Sequence, residues 1–388
     1  MNAKLISATL LWAVLLCGCK TSEQPQLGQP LADLTPAQRA QFEEGKKVFE
    51  RVFVPEDGLG PLFNANACAQ CHEQPVVGGV GDEVEVHATK FVAPDSCDPM
   101  FQQGGPVIQQ HAAELLQALG IEKEQIPPGA AVAHRSSPPL FGFGLVDAIP
   151  EATLLGLETS QAVNGSGIHG HANRTIDGRV GRFGRKAAVA TLFEFSAGAF
   201  PQEMGVTTPL SPTEETINGV PDPAGTDPAV DPEITAEALD QVTAFIRFLA
   251  PPPPQAFTNY YDQCLADRGR KIFAYLECAA CHVETMTTGT NAIRALDRKP
   301  IALYSDLLLH DMGAELADIC LGQAHPSEFR TEMLMGLRFR ERFLHDGSAA
   351  TVKEAIARHA GEGRKSRNGF MALSELDQKA LLKFLQTL

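Results

Sequence analysis

The chain has 388 residues, enough for two domains of ordinary size with a core in each. Hydrophobic residues make up 44%, which suits globular packing and excludes a collagen-like or disordered polymer. Lys and Arg number 32 against 47 Asp and Glu, and the net charge of −15 argues against nucleic acid and anionic membrane surfaces and favours a positively charged partner.

Residues 1–19 carry one lysine, an apolar run from Leu5 to Leu16 and small residues before a cysteine. The run is too short to span a bilayer and has the proportions of a signal-peptide core. Leu16-Cys17-Gly18-Cys19 resembles a bacterial lipobox, with Cys19 as the lipidated first residue of the mature chain. Residues 20–34, with Pro25 and Pro30, read as a flexible tether. The expected location is the periplasmic side of a bacterial membrane, the outer membrane favoured, with membrane contact through the lipid anchor only. Cleavage also removes Trp12, the only tryptophan.

Thr35-Pro36-Ala37-Gln38 reads as a helix start, a capping box with proline at the first helical position. Asp57-Gly58-Leu59-Gly60 makes a turn toward Cys68-Ala69-Gln70-Cys71-His72, a motif that returns as Cys278-Ala279-Ala280-Cys281-His282. Thiols three apart lie on one side of a helical turn and can add to the two vinyl groups of one haem. The next histidine is then carried under the ring as the proximal iron ligand. A redox disulfide or half a zinc site would account for CxxC alone but not for the trailing histidine in both copies. Two covalent c-type haems follow, held by Cys68 and Cys71 and by Cys278 and Cys281, with His72 and His282 on the irons.

The surroundings repeat as well. Gly45-Lys46-Lys47-Val48-Phe49 is matched by Gly269-Arg270-Lys271-Ile272-Phe273, and the helix starting Leu239-Asp240-Gln241 by the one starting Leu376-Asp377-Gln378. A helix before the haem motif and one closing the domain is a cytochrome c arrangement, so the sequence reads as a degenerate duplication. Pro251 to Pro254 form a stiff spacer between haem domains at 35–250 and 255–388. The first is enlarged by an insertion over much of 90–233, whose proline- and acid-rich stretch 209–233 reads as a surface loop. Strand signals are sparse, with Glu83–His87 and Ala188–Phe195 open to either assignment, and the expected fold is mostly α. Of the cysteines outside the haem motifs and the leader, Cys264 can pair with Cys320 in the second half, leaving Cys97 free and buried, although sequence does not fix this.

Further segments carry a resemblance: Gly58-Leu59-Gly60-Pro61-Leu62-Phe63-Asn64, Pro138-Pro139-Leu140-Phe141-Gly142-Phe143-Gly144, Glu203-Met204-Gly205-Val206-Thr207, Leu309-His310-Asp311-Met312-Gly313 and Phe343-Leu344-His345-Asp346-Gly347. Together with the haem motifs, over most of the mature chain, they resemble the bacterial di-haem oxidoreductases. That family is also labelled thiol oxidoreductases and is related to the di-haem cytochrome c peroxidases. The resemblance implies that one haem meets the oxidant while the other relays electrons, and allows a calcium ion between the domains. It departs at Arg185, where the family has an aromatic residue, and in the missing tryptophan between the haems. Direct transfer, or a route through Tyr275 or Tyr304, would have to serve.

Function then turns on the sixth iron ligands, since an iron closed on both faces carries electrons and an open one binds an oxidant. Thr351 and Glu354 open a helix whose apolar stripe Val352, Ala355, Ile356 ends in His359, the candidate distal ligand of the second haem. Met312, Met333, Met335, His310 and His345 are rivals. His87 is the candidate at the first haem. If that iron is open, Arg135, Glu194 and Glu203 are candidates for the acid, base or cation that assists O–O cleavage. The sequence therefore predicts an exported di-haem oxidoreductase that reduces peroxide or another small oxidant at the first haem, with electrons from a small redox cytochrome or other donor. The alternatives are an electron-transfer cytochrome closed at both irons and a haem enzyme that oxidises an organic or protein substrate.

Overall fold

The computed structural model describes residues 25–94, 96–163 and 165–388, so Cys19 and the leader lie outside the described residues. The helix Pro36–Phe49 begins as its capping box requires, with Thr35 accepting from the Gln38 N–H and the Gln38 side chain accepting from the Thr35 N–H. It buries Phe42, Gly45 and Phe49 against Ala236–Phe248, a helix capped by Thr235 that buries Leu239, Val242, Phe245 and Ile246. The two cross at Gly45, where a Cβ would stand 1.9 Å from the Gln241 carbonyl oxygen and 2.9 Å from the Phe245 Cβ.

The second half repeats this contact. Tyr260–Tyr275, capped by Asn259, packs on Glu375–Leu385, capped by Ser374. A Cβ on Gly269 would stand 2.0 Å from the Ala380 carbonyl oxygen and 2.7 Å from the Phe384 Cβ. Both glycines sit where one helix meets the backbone of its partner, and both partners place a phenylalanine one turn later.

The fold is mixed, 35% helical and 14% strand, so the mostly helical expectation describes the paired helices but not the whole chain. Of Glu83–His87, all but Glu83 belong to a longer strand, Val84–Val92, which pairs antiparallel with Ser96–Asp98, Val107–Ile108 and Ala131–Ser136. Ala188–Phe195 forms no strand of a sheet; it runs into the helix Leu192–Met204, whose N-cap is Thr191. Residues 209–233 are irregular, pinned by isolated bridges Thr208–Ser211 and Ile217–Val220. The largest apolar core joins Phe42, Phe49, Phe200 and Phe245 to Leu303, Leu307 and Met333 of the second half, while a smaller core around Phe273, Tyr304, Phe370 and Phe384 packs beside the second CxxCH turn. Among the described residues no helix is long and apolar enough to cross a membrane.

The disulfide expectation needs correcting. Cys97 on the sheet is bonded to Cys320 across 223 residues of sequence, and Cys264 is the free, exposed cysteine. Tertiary packing decides the pairing, because the strand carrying Thr89 docks on the Cys320 loop through a Thr89 Oγ1 to Cys320 O hydrogen bond of 2.9 Å. A cross-link closing so long a loop restricts the unfolded chain, so replacing both cysteines by alanine should cost about 2–4 kcal/mol. Urea unfolding with and without reductant measures this, and reductant should leave the double variant unmoved.

Candidate functional site

At the first motif, Cys68–Cys71 makes a single helical turn and His72 leaves it with φ −135° and ψ 53°. The His72 Nδ1–H donates to the Gly79 carbonyl at 3.1 Å, in a turn closed by the Gln74–Val80 bridge, and Phe49 packs 6.1 Å from the imidazole. With Nδ1 so engaged, the Nε2 lone pair is left for a ligand. Burial holds the His72 pKa below the usual range, opposed by the Gly79 and Pro138 carbonyls and by the Glu85 charge.

The second motif has the same parts. Cys278–Ala280 is a short 3-10 turn, His282 Nδ1–H donates to the Tyr304 carbonyl at 2.9 Å, and Phe273 lies 6.3 Å from the ring. Burial depresses the His282 pKa to about 4, so both imidazoles are neutral, the form that binds iron. Burial pushes the Cys68 and Cys278 thiols up to about 12 and raises Cys71 and Cys281 as well. None of the four is disulfide-bonded, so all are available for attachment.

A cavity of about 220 Å³ opens over the second motif, lined by Cys278, Cys281, His282, Phe273, Val352 and His359 among others. The helix Val352–Ala357 is capped by Thr351, and the stripe Val352, Ala355, Ile356, His359 faces this cavity. His359 follows the helix end and donates Nδ1–H to the Ala355 carbonyl at 2.8 Å, which again leaves Nε2 free. Two half-buried histidines thus present unengaged Nε2 atoms to one cavity.

Four of the five rivals are otherwise committed. His310 bonds Asp306 at 2.9 Å and Glu362 at 2.7 Å through its two nitrogens, His345 stacks on Phe329 and pairs with Asp318, and Met333 and Met335 are buried in the larger core. Met312 lines the cavity wall.

The chain matches the family model described as di-haem oxidoreductase, putative peroxidase, over residues 128–388. The chain belongs to that di-haem oxidoreductase family. No curated protein matches it. Solved structures similar to it are remote. The hydrazine synthase of Kuenenia stuttgartiensis is 13% identical over 100% of both chains, with a TM-score of 0.43. The diheme peroxidase BthA of Burkholderia thailandensis E264 is 15% identical over 94% of this chain and 90% of that one, with a TM-score of 0.38. A MauG-like protein associated with microbial copper homeostasis is 17% identical over 62% and 90%, with a TM-score of 0.30. Likenesses this remote fix no detail of the site.

As a di-haem oxidoreductase the chain takes two haems, and its two CxxCH turns fit them. Each offers paired neutral thiols, a neutral histidine with Nε2 free, and an aromatic ring beside it, and the second adds a largely apolar cavity. The Nδ1 bonds to main-chain carbonyls are the support that a haem-ligating histidine requires.

Of the three peroxide-site candidates, the di-haem oxidoreductase brings only Glu203 to the first turn. Glu203 lies in the last turn of the helix Leu192–Met204, accepts from the Asn64 side-chain amide at 3.0 Å, and neighbours the Cys71 thiol. Burial, then the charge of Glu85, raises its pKa well above the ordinary carboxylate range. Glu194 is instead bonded by Arg179 at 2.5 Å and by Thr191, whose hydroxyl caps the same helix, so its carboxylate is engaged as a cap and ion pair. Arg135, opposite Glu85 in the sheet register, turns its guanidinium to Asp318, which also holds Lys186 and His345. That buried network belongs with the second half and takes Arg135 away from the peroxide role. His87 bonds the Glu85 carboxylate at 2.9 Å, which occupies its Nε2.

Tyr304 is buried against Phe273, whereas Tyr275 is 80% exposed and offers no internal route. Carboxylates also gather in the surface loop, where Glu214, Asp227, Asp231 and Glu233 lie within 4.8 Å of one another. Exposed acidic groups are common without an ion, and calcium is implied only through the family resemblance.

Proposed function

We propose that this di-haem oxidoreductase is exported and reduces peroxide at the first site, with electrons received through the second. What carries the reading is the asymmetry between the sites. The second offers two histidines, His282 and His359, with Nε2 free toward one cavity. The first offers His72 alone, with His87 engaged by Glu85 and with Glu203, its pKa raised by burial, beside the cysteine turn.

Attached through Cys68 and Cys71 and through Cys278 and Cys281, the haems supply reversible one-electron chemistry and, at an iron with a free face, a place for peroxide. His72 would hold the first iron, and Glu203, steadied by Asn64, would keep a proton available beside it. His282 and His359 would hold the second iron, leaving it to electron exchange. In this reading the haem domains span 35–250 and 255–388, the leader 1–19 is removed, and Cys19 carries lipid that tethers the protein on the periplasmic side. The charge of −15 suits a small redox cytochrome with a basic docking face as donor.

The test is a titration of the purified holo-protein from fully oxidised to half-reduced, followed by absorption and EPR, with peroxide-dependent oxidation of a reduced donor assayed beside it. One high-spin signal that cyanide abolishes, together with accelerated donor oxidation, is the expected result. Two low-spin signals at every stage and no acceleration would make the protein an electron-transfer cytochrome.

A further inference from the structure

One wall of the second cavity is built from charges that His282 and His359 do not use. Arg185, Arg330, Glu332 and Arg340 all line it. The guanidinium side chains are 9%, 3% and 7% exposed, in that order, so all three are interior groups. Arg185 donates to Glu332 at 2.5 Å and to the Ser136 carbonyl at 2.8 Å. Arg330 donates to the Gly184 carbonyl at 2.9 Å and to Glu332 at 3.4 Å, and Arg340 also pairs with Glu332. Three guanidiniums share one directly bonded carboxylate, Glu332, with the charges of Glu85 and Asp306 acting on Arg185 and Arg330 without a hydrogen bond, at the edge of a hydrophobic cavity. Arg340 Nε is buried with no hydrogen-bond partner. Unpaired buried charge is costly, and a guanidinium fork matches a carboxylate in shape.

We propose that Arg185, Arg330 and Arg340, with Glu332 as spacer, form a dianion-binding wall that takes the two propionate carboxylates of the haem attached at Cys278 and Cys281. The inference rests on the reading that the second turn carries a haem, and not on the peroxide chemistry of the first. A haem brings two carboxylates on the edge opposite its vinyl groups, so one tied at Cys278 and Cys281 would supply two anions that guanidinium forks in the same cavity could bind. The wall is also shared with the first site. Arg185 is bonded to Ser136, and the Pro138 carbonyl two residues later lies against the His72 ring.

The experiment compares wild-type holo-protein with Arg340→Leu, Arg340→Lys and Glu332→Gln by resonance Raman in the propionate-bending region and by redox titration of both haems. Expected are a shift of one propionate band in both Arg340 variants, and unchanged low-spin marker bands. The potential of the second haem should fall in R340L, stay near wild type in R340K and rise in E332Q. Misfolding would not move the potential in opposite directions for the leucine and glutamine variants. Propionate bands identical in all four proteins overturn the proposal, as do potentials that shift together. A band that moves on adding inorganic phosphate to the wild type also overturns it, because the wall would then hold a separate anion. Mass analysis showing no haem on Cys278 and Cys281 in the wild type overturns the underlying reading as well. A holo-protein that is inert to peroxide but shows the expected bands overturns the peroxidase and leaves the wall standing.

Discussion

Alanine at position 359 is expected to open the second haem to added ligands and to stop it from serving the first. His359 is the one described histidine besides His282 with Nε2 free toward that cavity, because its Nδ1 is fixed by the Ala355 carbonyl at 2.8 Å. Truncation leaves Val352, Ala355 and Ile356 in place, so the pocket keeps its apolar wall while the iron loses its sixth ligand. The EPR signal of one haem should change from low-spin to high-spin, and cyanide should then bind it. Axial ligation sets haem potentials over a range of hundreds of millivolts. A shift on the order of 100 mV is a reasonable expectation, and at 59 mV per tenfold it changes the equilibrium for electron transfer by about fiftyfold. Peroxide turnover with an external donor should fall by at least about tenfold, with the spectrum of the first haem unaltered. If His359→Ala leaves the second haem low-spin, then Met312 or another cavity residue is the ligand and the closed-site argument is wrong.

How much of this was legible follows from where each constraint is written. The two CxxCH turns were readable because the motif is contiguous in the chain, and the same holds for the Thr35 capping box, satisfied within four residues of chain. His359 was readable because a helical stripe is periodic, and its members Val352, Ala355 and Ile356 do face one cavity. The equivalence of Gly45 and Gly269 showed in their matching flanks, but that each admits a partner helix backbone emerges only from the crossing itself. The disulfide was misread because Cys97 and Cys320 meet only after a strand of the first half docks on a loop of the second. The sheet was underestimated because Val84–Val92 mixes acidic and basic residues with its valines, which blurs the alternation. Arg135 and Glu194 were grouped with Glu203 by motif proximity, which says nothing about which carboxylate or guanidinium is nearest in space; Asp318 and Arg179 claim them. The arginine wall draws on three separate segments and has no linear signature. In the sequence Arg185 stood out only as a departure from the family pattern.

Glutamine at position 203 is expected to lower peroxide turnover by about 10²- to 10⁴-fold, the range a positioned acid or base supplies, while both haems keep their spectra. The amide matches the carboxyl in size and can still accept from the Asn64 amide, so the 3.0 Å contact survives and only the transferable proton is lost. The pH dependence separates this role from a structural one. Burial, with the charge of Glu85 added, raises the Glu203 pKa well above the ordinary carboxylate value, so the wild-type carboxyl keeps its proton to higher pH than an ordinary glutamate. Activity that needs this proton is fully present below the raised pKa and declines as pH rises through it. Glu203→Gln should abolish that alkaline limb as well as reduce the rate. Removing the neighbouring charge with Glu85→Gln should move the limb to lower pH, because a carboxyl relieved of a nearby anion ionises more readily. The Glu85 change also frees His87 from its 2.9 Å partner, so the spin state of the first haem must be followed at the same time. If the rate of the Glu203→Gln variant and its pH profile both match the wild type, Glu203 is a buried packing residue and the proton for the leaving oxygen comes from water.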